Sequence, residues 1–76
     1  MDPYWELTEY RDRLYVNLRQ LLSQIDKLND VLSTYDYSHP GRYTVQNQLD
    51  GLHYQAEEIQ RGIDEVEAKI ANLNRY

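Results

Sequence analysis

The sequence contains no cysteine and no phenylalanine among its 76 residues. Without thiols the chain cannot form disulfides or thiolate metal sites, and this is compatible with a cytosolic location. The first twenty residues carry four acidic side chains, and no stretch approaches the roughly eighteen consecutive apolar residues of a membrane-spanning helix. We therefore expect a soluble, cytoplasmic protein with no signal peptide and no membrane contact.

Positive charge is also scarce. Eight Lys and Arg residues are dispersed among thirteen Asp and Glu residues, which gives a formal net charge of -5. Proteins that bind the phosphate backbone of nucleic acids need a basic stripe. Nucleic acid is therefore not expected as a partner.

The sequence lacks the motifs of common enzyme classes. It has no glycine-rich phosphate loop, no HExxH motif and no residue set for nucleophilic catalysis. Its two histidines, His39 and His53, are expected in a turn and in the middle of a helix, too far apart to share a metal ion. The sequence predicts a protein that is not an enzyme and has no catalytic residues, no metal and no cofactor.

Helix breakers are few, with two prolines and three glycines. Asp2 before Pro3 predicts the start of a helix, because Asp caps the first amide groups and proline suits the first helical position. The length of 76 residues predicts one domain, residues 1–76. The cluster of turn formers around Pro40 predicts helix 1 at about 3–34, a turn at about 35–42 and helix 2 at about 43–75. Ser38 or Thr44 is the expected cap of helix 2.

The apolar residues of helix 2 repeat at steps of four and three, the period of a coiled-coil seam. They are Val45, Leu49, Leu52, Ala56, Ile59, Ile63, Val66, Ile70 and Leu73. A stripe of this kind needs a second helix to cover it.

Helix 1 has the same repeat, interrupted only by Arg11. Its members are Tyr4, Leu7, Arg11, Leu14, Leu18, Leu21, Ile25, Leu28, Leu32 and Tyr35. When the two stripes run antiparallel, nine layers fit one register, from Leu32 with Val45 to Tyr4 with Leu73. The pattern therefore predicts an all-α fold, a long antiparallel helical hairpin that forms a two-helix coiled coil.

The positions beside the seam are almost all uncharged, whereas a solitary coiled coil usually carries Glu and Lys there. Tyr15 is expected beside Gln60, and Thr8 beside Glu67. We expect the flanks to be half-buried in a homo-oligomer, either a four-helix bundle or a larger helical assembly. The expected interface residues are Tyr15, Leu22, Val31, His53 and Gly62.

Aromatic residues, eight Tyr and one Trp, suit surfaces that become buried on binding. One group lies near the open end of the predicted hairpin together with charged residues, and Tyr76 follows nearby. Its members are Tyr4, Trp5, Tyr10, Arg11, Glu67 and Lys69. In one interpretation Arg11 only extends to solvent and pairs with Glu67; in the other, the group is a recognition patch for a protein or a phosphorylated small ligand.

A second aromatic group lies at the turn. Its members are Tyr35, Tyr37, His39, Arg42 and Tyr43. They either form a contact loop or pack over the last seam layer, Leu32 and Val45. The sequence leaves both alternatives open.

The bend His39-Pro40-Gly41-Arg42-Tyr43, followed by Gln46 and Gln48, resembles the small hairpin subunits of type III secretion needle-protein chaperones. The Gly41-Arg42 step before a helix is also similar to small two-helix phage head-tail proteins. These resemblances imply a bacterial or phage accessory protein that binds other proteins.

We thus expect a non-enzymatic, helical protein-binding module that is an adaptor, a chaperone or an inhibitor. It would bind itself and another protein, and would work in the host cytoplasm if phage-encoded. One alternative is an oligomeric nucleotide sponge with pockets between protomers. Another is a structural subunit of a phage particle or a secretion apparatus.

Overall fold

Two antiparallel α-helices make up almost the whole protein. The computed structural model describes residues 2–74, in which α1 spans Pro3–Ser33 and α2 spans Gly41–Leu73. The molecule measures 59 × 15 × 14 Å, and the described residues contain no strand. The predicted all-α helical hairpin is confirmed.

Helix α1 begins as its sequence predicts and ends one residue early. The Asp2 carboxylate accepts a hydrogen bond from the backbone N–H of Tyr4 at 3.0 Å, and Pro3 takes the first helical position. At the other end, the N–H and the hydroxyl of Thr34 both donate to the carbonyl oxygen of Val31, at 3.1 and 2.7 Å. These local bonds turn the chain out of the helix at Thr34.

Helix α2 begins at Gly41, two residues before the predicted start, because Pro40 already has helical backbone angles. Neither Ser38 nor Thr44 caps it, which corrects that expectation. The Nδ1 atom of His39 instead accepts a hydrogen bond from the N–H of Gly41 at 2.9 Å. The helix ends at Leu73, and the predicted end at residue 75 lies outside the described residues.

The core follows the predicted seam. Ile25, Val45 and Leu49 form a buried cluster, and Leu28 and Leu32 pack against it. Farther along α2, the buried residues are Ile63, Val66 and Ile70. The last layer is looser, since Tyr4 and Leu73 remain 41% and 39% exposed.

Neither described helix has a segment long and apolar enough to cross a membrane.

Candidate functional site

Arg42 joins the ends of the two helices at the hairpin tip. Arg42 is the seam position before Val45 in α2. The pairing of the seam layers places it opposite Tyr35, the last member of the helix 1 stripe. Its Nη1 atom donates to the carbonyl oxygens of Leu32 and Tyr35, at 3.4 and 3.2 Å. The last carbonyls of a helix lack partners within the helix. The Leu32 carbonyl also accepts the N–H of Tyr35 at 3.1 Å, so the half-buried guanidinium is a second donor that caps the end of α1.

The same guanidinium lies over the ring of Tyr37, with its central carbon 4.7 Å from the ring centroid. This is within the range of a cation–π interaction. Arg42 therefore connects α1 to the aromatic loop, although sequence reasoning treated it only as a contact residue.

His39 and Tyr35 form a second rigid unit at the tip. Their rings are stacked with centroids 4.0 Å apart and planes inclined by 7°. Gly41 makes room for this pair, because a Cβ atom there would lie 3.1 Å from Cε1 of His39 and 3.2 Å from Cε2 of Tyr35. The Nδ1 atom of His39 accepts the Gly41 amide hydrogen, so the ring carries no hydrogen on Nδ1.

Two shallow grooves flank Arg42 and Tyr37. The first has a volume of about 340 Å³ and is lined by Asn29, Leu32, Ser33, Tyr35, Tyr37 and Arg42. The second has a volume of about 390 Å³ and is lined by Tyr37, His39, Pro40, Arg42, Tyr43 and Gln46. We call the residues of the second groove the tip surface.

The tip surface exposes large aromatic side chains. Tyr37 is 93% exposed and Tyr43 is 76% exposed. Four of its residues were predicted as binding residues, namely Tyr37, His39, Arg42 and Tyr43, whereas Pro40 and Gln46 were not. The layer rule, continued by one layer beyond Leu32 and Val45, pairs Arg42 with Tyr35. This pairing could have predicted the contact between Arg42 and the end of α1.

At the open end, Glu67 pairs with a tyrosine rather than with Arg11. The hydroxyl of Tyr15 donates to Oε1 of Glu67 at 2.7 Å, whereas the predicted neighbours were Gln60 for Tyr15 and Thr8 for Glu67. Helical side chains lean toward the N-terminus of their helix. The hydroxyl of Tyr15 therefore reaches the level of Arg11, one turn earlier in α1. Arg11 lies opposite Val66 of α2, and Glu67 is the residue after Val66.

The Tyr15 contact changes the chemistry of its phenol. The hydrogen bond to Glu67, followed by desolvation and the negative charge of that carboxylate, raises the pKa of Tyr15 above its ordinary value. Arg11 acts in the opposite direction as a smaller effect.

The expected ion pair between Arg11 and Glu67 is absent from the described residues. Arg11 instead lies 3.6 Å from the carboxylate of Asp12, its neighbour in sequence. Its side chain is about one-third exposed.

The other predicted residues of the open end stay on the surface. Trp5 is 68% exposed, Tyr4 and Tyr10 are also exposed, and so is Lys69. Tyr76 lies outside the described residues. Among those described, no hydrogen bond or ion pair joins Trp5 or Lys69 to Arg11.

The predicted interface residues lie on two sides of the hairpin. The hydrogen bond between Tyr15 of α1 and Glu67 of α2 shows that these two residues lie on the same side of the hairpin. Leu22 and His53 lie on that side as well, because they occupy the same heptad positions as Tyr15 and Glu67. Val31 and Gly62 lie on the opposite flank, where a Cβ atom at Gly62 would lie 3.6 Å from Leu14. Leu22, Val31 and His53 are exposed in the single hairpin, and Tyr15 and Gly62 are half-buried.

Residues 2–74 contain no group of three or more His, Asp or Glu side chains placed to hold a metal ion.

The chain matches no protein-family model, and no curated protein and no solved structure is significantly similar to it. The resemblances of the Pro40 bend to secretion chaperones and phage proteins therefore remain predictions.

Proposed function

We propose that this protein is a non-enzymatic binding module that recognises another protein through its tip surface. The observation that carries the proposal is the exposure of Tyr37 and Tyr43 beside a groove whose walls are held by hydrogen bonds. Tyrosine and arginine are enriched at the centres of protein interfaces. A preordered surface of this kind loses little entropy on binding.

The chemistry of the tip favours a protein over a small anion. Arg42 is the cation at the centre of the tip, and its guanidinium already donates to two carbonyl oxygens and lies over Tyr37. Both grooves are shallow, whereas small-molecule sites usually enclose most of the ligand. A shallow, tyrosine-rich groove suits a side chain or a backbone segment of a partner.

A photo-reactive benzoylphenylalanine at position 37 tests this proposal in the cells that naturally make the protein. Tyr54 is the matched control position, since it is a 64% exposed tyrosine on the outer side of α2. We expect a specific crosslinked protein from position 37 and none from position 54. The identity of that protein distinguishes an adaptor, chaperone or inhibitor from a structural subunit of a phage particle or secretion apparatus.

The purified partner then allows a quantitative test. Tyr37→Ser should weaken its binding at least about tenfold, as expected for an interface hot spot, while Tyr54→Ser should leave binding unchanged. Equal losses from both variants, or none from Tyr37→Ser, would contradict a role of the tip.

The nucleotide-sponge alternative rests on Arg11, whose side chain is about one-third exposed at the open end, where Tyr4, Trp5 and Tyr10 are also exposed. A thermal-shift screen with nucleotides and cyclic nucleotides tests it. A ligand present at a hundred times its Kd stabilises the folded state by about 2.7 kcal/mol. A raised midpoint that Arg11→Gln abolishes would favour this alternative over recognition at the tip.

A further inference from the structure

The single hairpin exposes more surface than a compact protein of its mass. It exposes 5932 Å², whereas a folded monomer of 9.2 kDa exposes about 4,900 Å². The excess is about 1,000 Å² per chain, and a stable dimer buries about 800 Å² on each partner. The elongated hairpin thus has the spare area that one dimer interface needs.

One flank of the hairpin is suited to this interface because it is uncharged over most of its length. We call it the Tyr15 face. It consists of Thr8, Tyr15, Leu22, Asn29, Gln46, His53, Gln60 and Glu67. Glu67 is the only formal charge on it, and its carboxylate accepts the Tyr15 hydroxyl. Asp50 and Asp64 border this flank and accept hydrogen bonds from its residues Gln46 and Gln60. The flank positions themselves therefore carry little of the net charge of -5.

The apolar residues of the Tyr15 face lie at its middle. Leu18 is the central residue of α1, and Tyr15 and Leu22 lie on either side of it. Leu22 is 46% exposed. On the opposite flank, the apolar residues Tyr10 and Val31 lie toward the ends and Asn17 and Gln24 lie in the middle. Residues that dominate binding cluster at the centre of an interface, so the Tyr15 face is the better one.

We infer that two copies of this chain associate through their Tyr15 faces as an antiparallel four-helix bundle. Their α1 helices cross at the level between Leu18 and Arg19, which stacks Tyr15 of each copy on Leu22 of the other. His53 then lies beside Gln60 of the second copy, a pair that can form a hydrogen bond. This arrangement places the two hairpin tips at opposite ends of the dimer.

The other two-fold arrangement fits less well. With both tips at one end, α1 lies on α2 of the second copy, so Leu22 meets His53 and Tyr15 meets Gln60. Apolar groups would then oppose polar groups in the buried centre. The antiparallel arrangement leaves both tip surfaces free, and it is independent of what the tip surface binds.

Sedimentation of the full chain over a range of concentrations tests the association. We expect a dimer, and we expect Leu22→Glu to raise its dissociation constant at least about thirtyfold. Val31→Glu is the matched control, since Val31 is an exposed apolar residue of the same helix on the opposite flank. It should change the constant less than about threefold. A folded monomer at every concentration would overturn the inference, as would a larger effect of Val31→Glu.

Disulfide trapping tests the orientation even if Leu22→Glu fails to fold. The chain has no cysteine of its own, so a Tyr15→Cys/Leu22→Cys variant carries only the two introduced thiols. These lie about 10 Å apart along one helix, too far for a bond within a chain. Air oxidation should yield covalent dimers.

Asn17→Cys/Gln24→Cys is the control pair on the opposite flank and should stay largely uncrosslinked. Preferential crosslinking of this control pair overturns the inference. Failure of the Tyr15→Cys/Leu22→Cys variant to crosslink in a sample that sediments as a dimer also overturns it, because the copies would then meet in another way.

Discussion

The Nη1 atom of Arg42 lies 3.2 Å from the carbonyl oxygen of Tyr35, two residues beyond the end of α1. The first turn of α2 thereby provides a partner for the end of α1. Because the guanidinium also lies over Tyr37, one side chain couples helix capping to the conformation of the exposed loop. Loss of Arg42 should affect both stability and the tip surface.

We predict that Arg42→Gln lowers the free energy of unfolding by about 1–2 kcal/mol. Hydrogen bonds from charged donors contribute about 1.5–3 kcal/mol, and partial exposure of the guanidinium reduces this value. Urea denaturation followed by circular dichroism measures the change. Arg19→Gln is the control, because Arg19 is exposed on the outer side of α1, and it should alter stability by less than about 0.5 kcal/mol. Equal effects of the two variants would refute the capping role.

Apolar spacing was sufficient to predict the two helices and their register. The burial of Ile25, Val45 and Leu49 in one cluster follows from the layer rule, since the period of the stripe determines which residues face the partner helix. Helix ends were less predictable, by one or two residues, because they depend on individual side-chain contacts.

The structure of the tip could not be derived from the same pattern. An imidazole is not among the usual helix caps, so residue type alone favoured Ser38 or Thr44 over His39 for that role. The Tyr15–Glu67 bond was missed for a different reason. Layer arithmetic compares Cα positions, whereas a tyrosine hydroxyl lies about a turn away from its own Cα.

The imidazole of His39 should exist in one tautomer when it is neutral. Since Nδ1 accepts the Gly41 amide hydrogen, the ring hydrogen must be on Nε2. Nitrogen-15 NMR of the imidazole distinguishes the two forms directly. Exposed His53 serves as the internal comparison and should show a mixture. A mixture at His39 as well would show that the cap is not formed in solution.

Alanine substitutions should distinguish two of the glycines. No atom lies within 4 Å of a Cβ added at Gly51, so Gly51→Ala should raise the free energy of unfolding by about 0.5–1 kcal/mol through helix propensity. A Cβ at Gly41 would instead press on the stacked rings of His39 and Tyr35. Gly41→Ala should therefore be less stable than Gly51→Ala in thermal unfolding. Equal gains at both positions would show that the stack yields easily.

The Tyr15–Glu67 bond predicts a specific loss of stability in alkali. The raised pKa of Tyr15 means that the folded chain holds the phenol proton more tightly than the unfolded chain. The contribution of the Tyr15–Glu67 hydrogen bond to the free energy of unfolding is therefore complete below the ordinary tyrosine pKa of about 10. This contribution is lost as the pH rises through the raised pKa of Tyr15 in the folded chain.

Carbon-13 NMR titration of the tyrosine rings measures this pKa. Glu67→Gln should bring the pKa of Tyr15 back toward the ordinary value, since it removes the charged acceptor. Glu57→Gln, at an exposed site on the outer side of α2, should leave the pKa unchanged. If the pKa of Tyr15 responds alike to both variants, the hydrogen bond is not its cause.

Arg11→Leu should stabilise the protein, because Arg11 occupies a seam position opposite buried Val66. The substitution completes the apolar stripe and gives up only a 3.6 Å contact with Asp12, a local ion pair of little value. We expect a gain of about 1 kcal/mol in the free energy of unfolding. Arg13→Leu, at an exposed outer position of the same helix, should give no such gain.

A charged residue that lowers stability at a seam position suggests that the charge has a function. If Arg11→Leu is more stable but loses nucleotide or partner binding, the open end is a recognition patch. If stability rises and every binding activity is retained, Arg11 merely extends to solvent at the end of the hairpin.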